Sequence, residues 1–163
     1  MIPLTEHERW MRRCLALAQE AADAGEAPVG AVVVQQGREI AAARNEREAA
    51  CDVSAHAEIL ALRRAGAALG RWALPPGCTL YVTLEPCPMC AGALVQARPD
   101  LVVFGAFDPA QGGFGSRYAL HLDPALGGGV QALGGVLRQE REAGLTAFFR
   151  ARRAGADSPR GDG

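Results

Sequence analysis

Apolar side chains return at helical spacing along the first 25 residues. Met11, Cys14, Leu15, Ala18 and Ala22 fall three or four positions apart, and Thr5 followed by Glu8 has capping-box spacing. This predicts an amphipathic helix ending at Gly25. The helical spacing ends there. Val29 to Val34 is a β-branched run, Gln36 and Gly37 supply a turn, and Ile40 to Arg44 reads as the return strand of a hairpin. A polar loop from Asn45 to Val53 leads to Ser54, placed to cap a helix from about Ala55 to Ala68.

Pro75, Pro76 and Gly77 break the chain before Thr79 to Leu84, an apolar run rich in β-formers. Pro86 and Pro88 suit a strand end and a first helical turn, and that helix continues through Ala91, Leu94 and Val95. Leu101 to Gly105 is a further apolar strand, so this strand–helix–strand order predicts a right-handed parallel crossover. Asp108 to Gly135 is rich in Gly and Pro and reads as loop, with one short strand near Val130. A last helix is expected over Leu137 to Arg153, weakened by Gly144, and Ala154 to Gly163 reads as a frayed, disordered tail. The elements add up to a three-layer α/β/α domain on a mixed sheet.

Composition narrows the classes. With 49% hydrophobic residues in 163, the chain can bury one continuous core, and a single domain is expected over residues 1–153. The formal net charge of -1 argues against a protein that holds nucleic acid mainly by a basic field. Glu6, Glu8, Arg9, Arg12 and Arg13 interrupt any signal-peptide core near the start, and no stretch approaches the apolar length of a membrane span. A soluble, intracellular protein is expected.

Five cysteines without a secretion signal do not suggest a disulfide framework, which directs attention to the close pair Cys87 and Cys90. Cys14, Cys51 and Cys78 are expected to pack as small hydrophobes. Cys-x-x-Cys alone leaves a redox motif, a structural zinc site and coincidence open. His56-Ala57-Glu58 begins the second helix and Pro86-Cys87-Pro88-Met89-Cys90 the third, so both segments present ligands at helix N-termini, where the macrodipole favours thiolate. Cys87 and Cys90 are neighbours on one turn and can reach one ion together with His56. Three ligands leave the fourth zinc position to a water whose pKa the metal lowers toward ~7. Glu58, two residues from His56, suits a proton carrier better than a fellow ligand. A closed structural site would need a fourth ligand, for which Cys51 and Cys78 are the candidates.

The two segments together match the H-x-E…P-C-x-x-C signature of zinc deaminases. With Ala27-Pro28-Val29-Gly30-Ala31-Val32, Ala55-His56-Ala57-Glu58-Ile59, Leu80-Tyr81-Val82-Thr83-Leu84-Glu85-Pro86-Cys87, Cys90-Ala91-Gly92-Ala93 and Val102-Val103-Phe104-Gly105-Ala106, the chain resembles the cytidine-deaminase-like superfamily. It is most similar there to bacterial tRNA-specific adenosine deaminases. The resemblance implies a mixed five-stranded sheet, a homodimer in the cytoplasm, and one Zn2+ per chain on His56, Cys87 and Cys90. It implies hydrolytic attack on the carbon bearing the exocyclic amine, with Glu58 moving protons from water to the ring nitrogen and to departing ammonia. Asn45 matches a position that contacts base or ribose, though an Asn chosen for a turn reads equally well. Ala57 would lend backbone groups to the base, and Asp108 matches an acid in the substrate-facing loop.

The expected reaction is conversion of adenosine to inosine at the wobble position of tRNA, which makes a tRNA anticodon loop the partner. Several positions depart from the family pattern. Phe107 stands where a basic residue is usual, Ala119, Leu122 and Asp123 replace an acid and histidines, and Gly127 to Gly129 replace a polar stretch. A free base such as guanine or cytosine, or a nucleoside, is therefore the rival substrate, and a non-catalytic zinc-stabilised module is the rival class. Phe148 and Phe149 can stack on nucleotides or pack on the sheet, with packing the expected role. Arg150, Arg152 and Arg153 can meet phosphates, but read first as a solvated helix end.

Overall fold

The computed structural model describes residues 2–156, with side-chain detail as far as 154. Helix α1 (Leu4–Asp23) is followed by the hairpin β1 (Gly30–Gln35) and β2 (Arg38–Arg44). Then come a one-turn helix α2 (Arg47–Ala50), α3 (Ala57–Leu69), β3 (Cys78–Leu84), α4 (Pro88–Ala97) and β4 (Leu101–Ala106). Two 3-10 turns precede β5 (Gln131–Gly134) and α5 (Arg138–Ala156). The five strands lie in the order β2-β1-β3-β4-β5. Strand β1 is antiparallel to β2 and β3, whereas β4 is parallel to β3 and β5, so the sheet is mixed.

Strand alternation sorts the core into two layers. Ala31, Val33, Leu80, Val82, Val102 and Phe104 face α3 and α4, where Ala57, Ala61, Ala91 and Leu94 complete one cluster. Val32, Val34, Tyr81 and Val103 face the other way and pack with Trp10, Met11, Cys14 and Leu17 of α1 and with Val136. Because successive side chains of a strand point to opposite faces, both faces must be apolar in a sheet covered on both sides. Gly30 sets how closely α1 approaches. A Cβ there would lie 2.2 Å from the Cys14 carbonyl oxygen, so only glycine admits the helix backbone at that distance.

Several local expectations give way to other contacts. Helix α1 starts from Pro3, with no side-chain cap, in place of the Thr5 capping box. Proline already holds the helical φ, and its carbonyl accepts the Glu6 amide at 3.0 Å. Ser54 does not cap α3. Its hydroxyl and amide are taken by Asp52 Oδ1 at 2.7 and 2.8 Å, so the N-cap moves to His56. Cys51, expected in the core, is exposed with φ 49° at the end of α2, while Cys14 and Cys78 are buried. The loop from Asn45 contains α2, whose amides are held from outside by Glu26. Helix α5 runs to Ala156, three residues past the expected end, and the rest of the expected tail, residues 157–163, lies outside the described residues. Of the aromatic pair, Phe148 is buried and Phe149 is exposed, their rings meeting edge-on at 5.5 Å. Among the described residues no helix is long and apolar enough to cross a membrane.

Candidate active site

Strand β3 ends at Leu84, and Glu85 extends it by donating its amide to the Ala106 carbonyl at 2.9 Å. Pro86 and Cys87 follow, with Cys87 the N-cap of α4 and Pro88 its first residue. His56 is the N-cap of α3. Both caps are extended, at φ -74° and -67°, so each ligand leaves the chain at the positive end of a helix dipole. The two helix starts converge. His56 Nδ1 lies 3.6 Å from Cys87 Sγ and 3.5 Å from Cys90 Sγ, and the three atoms all fall within 4.8 Å of one another.

The charge state of this trio favours a cation. A hydrogen bond from Cys90, with a second from His56, holds the Cys87 thiol down to about 4 against the opposing effect of burial. Cys87 is thus a thiolate at neutral pH. Its hydrogen bond to His56 in turn raises the imidazole above its ordinary value, and the Cys90 thiol, hydrogen-bonded to Cys87 and buried, is pushed up. One ligand is thus already a thiolate, and a divalent ion that binds it displaces the protons remaining on the other ligand atoms. One nitrogen and two sulfurs form the donor set of a catalytic zinc with a position left open. Neither Cys51 nor Cys78 joins the group, so a fourth cysteine does not close it.

Glu58, in the first turn of α3, is 4% exposed. Burial pushes its carboxyl up to about 7, opposed by its own backbone amide and by His56. It lines a cavity of about 150 Å³ together with His56, Cys87, Asn45, Asp108 and Glu85. Arg47 and Gln111 also reach its wall. Ala57 sits differently. The whole residue is buried in the core, and it is not part of the cavity wall where its backbone was expected to meet the base. Phe107 is half exposed and packs edge-on against Phe104 at 5.2 Å, under the Arg138 guanidinium at 5.6 Å, outside the cavity wall.

Two buried carboxylates at this site were not singled out by the sequence. Glu26 is 1% exposed and accepts from the Asn45 side chain at 3.2 Å and from the amides of Glu48 and Ala49 at 3.2 and 2.8 Å. Glu85 collects the loop that carries Asp108. The available signal was chemical. Each is an acid inside an otherwise apolar or turn-forming segment, and a buried acid needs donors.

Residues 4–106 match the family described as the cytidine and deoxycytidylate deaminase zinc-binding region. The chain belongs to this deaminase family. The match covers every element from α1 to the end of β4, and therefore both metal-ligand segments. The deaminase is 46% identical over 147 residues to the tRNA-specific adenosine deaminase of Bacillus subtilis, covering 90% of this chain and 91% of that protein. It is 50% identical over 129 residues to a tRNA(Ile)-lysidine synthase of Deinococcus deserti, but spans only 24% of that protein's length. Its fold superposes on a structure from work on A-to-I editing by tRNA:A34 deaminases at the wobble position of transfer RNA, with TM-score 0.81 and 39% identity, covering 84% of this chain and 99% of that one. A guanine deaminase of Nitrosomonas europaea is also similar, with TM-score 0.75 and 28% identity over 86% of this chain and 83% of that one.

Proposed function

We propose that this deaminase converts adenosine to inosine at the wobble position of a tRNA anticodon, as a homodimer holding one Zn2+ per chain on His56, Cys87 and Cys90. The observation that carries the reading is the meeting of three soft ligand atoms beside the buried Glu58 in one cavity. When bound there, zinc supplies Lewis-acid activation of water near neutral pH. Glu58 takes a proton from the attacking water and delivers it to the ring nitrogen next to the carbon bearing the amine. A second proton from the same water leaves by the same carboxylate on ammonia, so water and amine are exchanged for carbonyl oxygen and ammonia. A carboxyl poised near neutrality can both take and give these protons.

Asn45 and Asp108, both in the cavity wall, orient the base. At about 150 Å³ the cavity is well under the ~300–1,000 Å³ of pockets that enclose drug-sized ligands. It suits one base flipped out of a longer strand, with the ribose and phosphates left outside. The likeness to a guanine deaminase favours a free base as second reading. Phe107 stands outside the cavity wall and does not close it over a free base.

The test is ammonia release from an anticodon stem-loop with adenosine at its first anticodon position, against adenosine, guanine, cytosine and cytidine. The stem-loop is expected to be the preferred substrate, because phosphate and flanking-base contacts position the flipped base. Its turnover should weaken only gently with salt, since the net charge of -1 leaves few phosphate contacts. Efficient turnover of guanine or cytosine with the stem-loop untouched would replace this reading with the second.

A further inference from the structure

At the end of β3 stands a buried carboxylate that the proton transfer assigned to Glu58 does not use. Glu85 is 2% exposed, and the hydrogen bonds that its carboxylate accepts all come from one segment. Its Oε2 accepts the Asp108 amide at 3.0 Å, and its Oε1 accepts the amides of Phe114 and Ser116, each at 3.0 Å. The Ser116 hydroxyl donates a further short hydrogen bond to Oε2. Burial acts to raise this carboxyl, and the hydroxyl and the three amides outweigh it and hold it below its ordinary value. The backbone closes on the group so tightly that a Cβ on Gly112 would lie 2.4 Å from the carboxyl carbon, which only glycine permits.

We propose that Glu85 is a positioning residue for the substrate, fastening the 108–116 loop to the strand end that carries Cys87 and so setting Asp108 and Gln111 at the rim of the cavity. Three facts support it together. Cys87 follows Glu85 by two residues on the short link between β3 and α4, so the anchor and the metal-ligand segment share one stretch of backbone. The loop is also tied to the segment that follows it, by the Gly115, Tyr118 and Leu120 amides and by the Phe114 ring buried in the core and stacked on His121 at 4.7 Å, but its bonds to the strand end are those to Glu85 and that of the Gly113 amide to the Pro86 carbonyl at 2.7 Å. Asp108 and Gln111 line the same cavity as Glu58, and the Asp108 side chain in turn holds the amides of Ala110 and Gln111 at 3.0 and 3.2 Å. One acceptor thus joins the start of the loop at Asp108 to its far end at Phe114 and Ser116. An amide in its place would turn an NH2 donor toward amide donors, at nearly unchanged volume.

The role rests on the reading that residues 108–116 face the substrate, and Glu85→Gln in the zinc-loaded protein tests it. Hydrogen exchange followed by NMR should show the amides of Asp108, Phe114 and Ser116 exchanging at least about tenfold faster, with Val102 and Val103 of β4 unchanged. Because the variant lowers only the fraction of molecules with the loop in place, KM for the stem-loop should rise about tenfold, with kcat at saturation within about threefold of wild type. Glu85→Asp should restore part of the protection, and the effects of Glu85→Gln and Asp108→Ala on KM should fall well short of additive. If Glu85→Gln does not fold, Ser116→Ala removes one donor alone and should speed exchange at Asp108 in the same direction. Unchanged loop exchange, equal acceleration through β4, additive effects, or loss of kcat at unaltered KM would each overturn the role. Should the wild-type enzyme leave the stem-loop untouched, the substrate reading falls and amide exchange alone decides for Glu85.

Discussion

Asn45 donates its side-chain amide to the Glu26 carboxylate at 3.2 Å, and both residues are buried. The NH2 group is thereby committed inward, which fixes the amide's orientation and leaves its oxygen as the acceptor available to the cavity that Asn45 lines. The same carboxylate holds the Glu48 and Ala49 amides of α2. Glu26→Ala strands three donors at once. Stability should fall by about 2–3 kcal/mol in urea titrations, and kcat/KM on the stem-loop by roughly tenfold or more. A variant as stable as wild type would show that the Glu26 contacts contribute nothing net.

Both structural carboxylates also set a pH dependence. Burial acts to raise Glu26, but the amides of Ala49 and Glu48 and the Asn45 side chain outweigh it and hold its carboxyl below the ordinary value, as Glu85 is held by its own donors. A carboxyl lowered in the folded state contributes stability that is present above its unfolded value, about 4.3, and lost as pH falls through the folded value. Wild type should therefore lose stability below about pH 4.3 more steeply than Glu26→Gln. Denaturation midpoints measured across that range check the difference.

Cys87→Ala should lose most of its zinc by metal analysis, because it removes the ligand already present as thiolate at neutral pH. Wild type should carry one zinc per chain. Full metal retention in the variant would remove Cys87 from the ligand set.

Glu58→Ala should keep its fold and its zinc and lose activity by roughly 10²–10⁴-fold, the usual contribution of a general acid/base. The neighbouring buried acid, Glu85, is saturated by loop donors and cannot stand in. Zinc content and turnover must be read on the same sample. Loss of both together would make Glu58 a ligand.

Arg141 is 1% exposed in α5, and its Nε and Nη2 have no hydrogen-bond partner among the described residues. Burial alone pushes its guanidinium down to about 10. An unpaired buried cation is costly to desolvate, so Arg141→Met should raise stability by about 1–3 kcal/mol with activity unchanged. A destabilised variant would mean that the guanidinium has a partner in solution.

Much of this protein was legible before folding was considered. The continuous apolar, β-forming runs at Val29–Val34, Thr79–Leu84 and Leu101–Gly105 and the helical spacing in α1 follow from side-chain geometry within a few residues, and each became the expected element. The His-x-Glu and Cys-x-x-Cys spacings likewise place chemistry locally, since a cap and the following turn fix where those side chains leave the chain. Cap positions were the first to fail, at Thr5 and Ser54, because Pro3 and Asp52 compete for the same groups over one or two residues.

What the sequence could not decide were contacts between distant segments. Glu26 reaches Asn45 across 19 residues and Glu85 reaches Ser116 across 31, and nothing in local propensity pairs an acid with a particular backbone amide that far away. Burial is also a property of the assembled layers. It alone raises Glu58 toward neutrality, leaves Cys51 outside while enclosing Cys78, and strands Arg141 between helices. The ligand types and their spacing were written locally, while their convergence, the cavity beside them and the loop held over it arose only when two helix starts met at the end of one sheet.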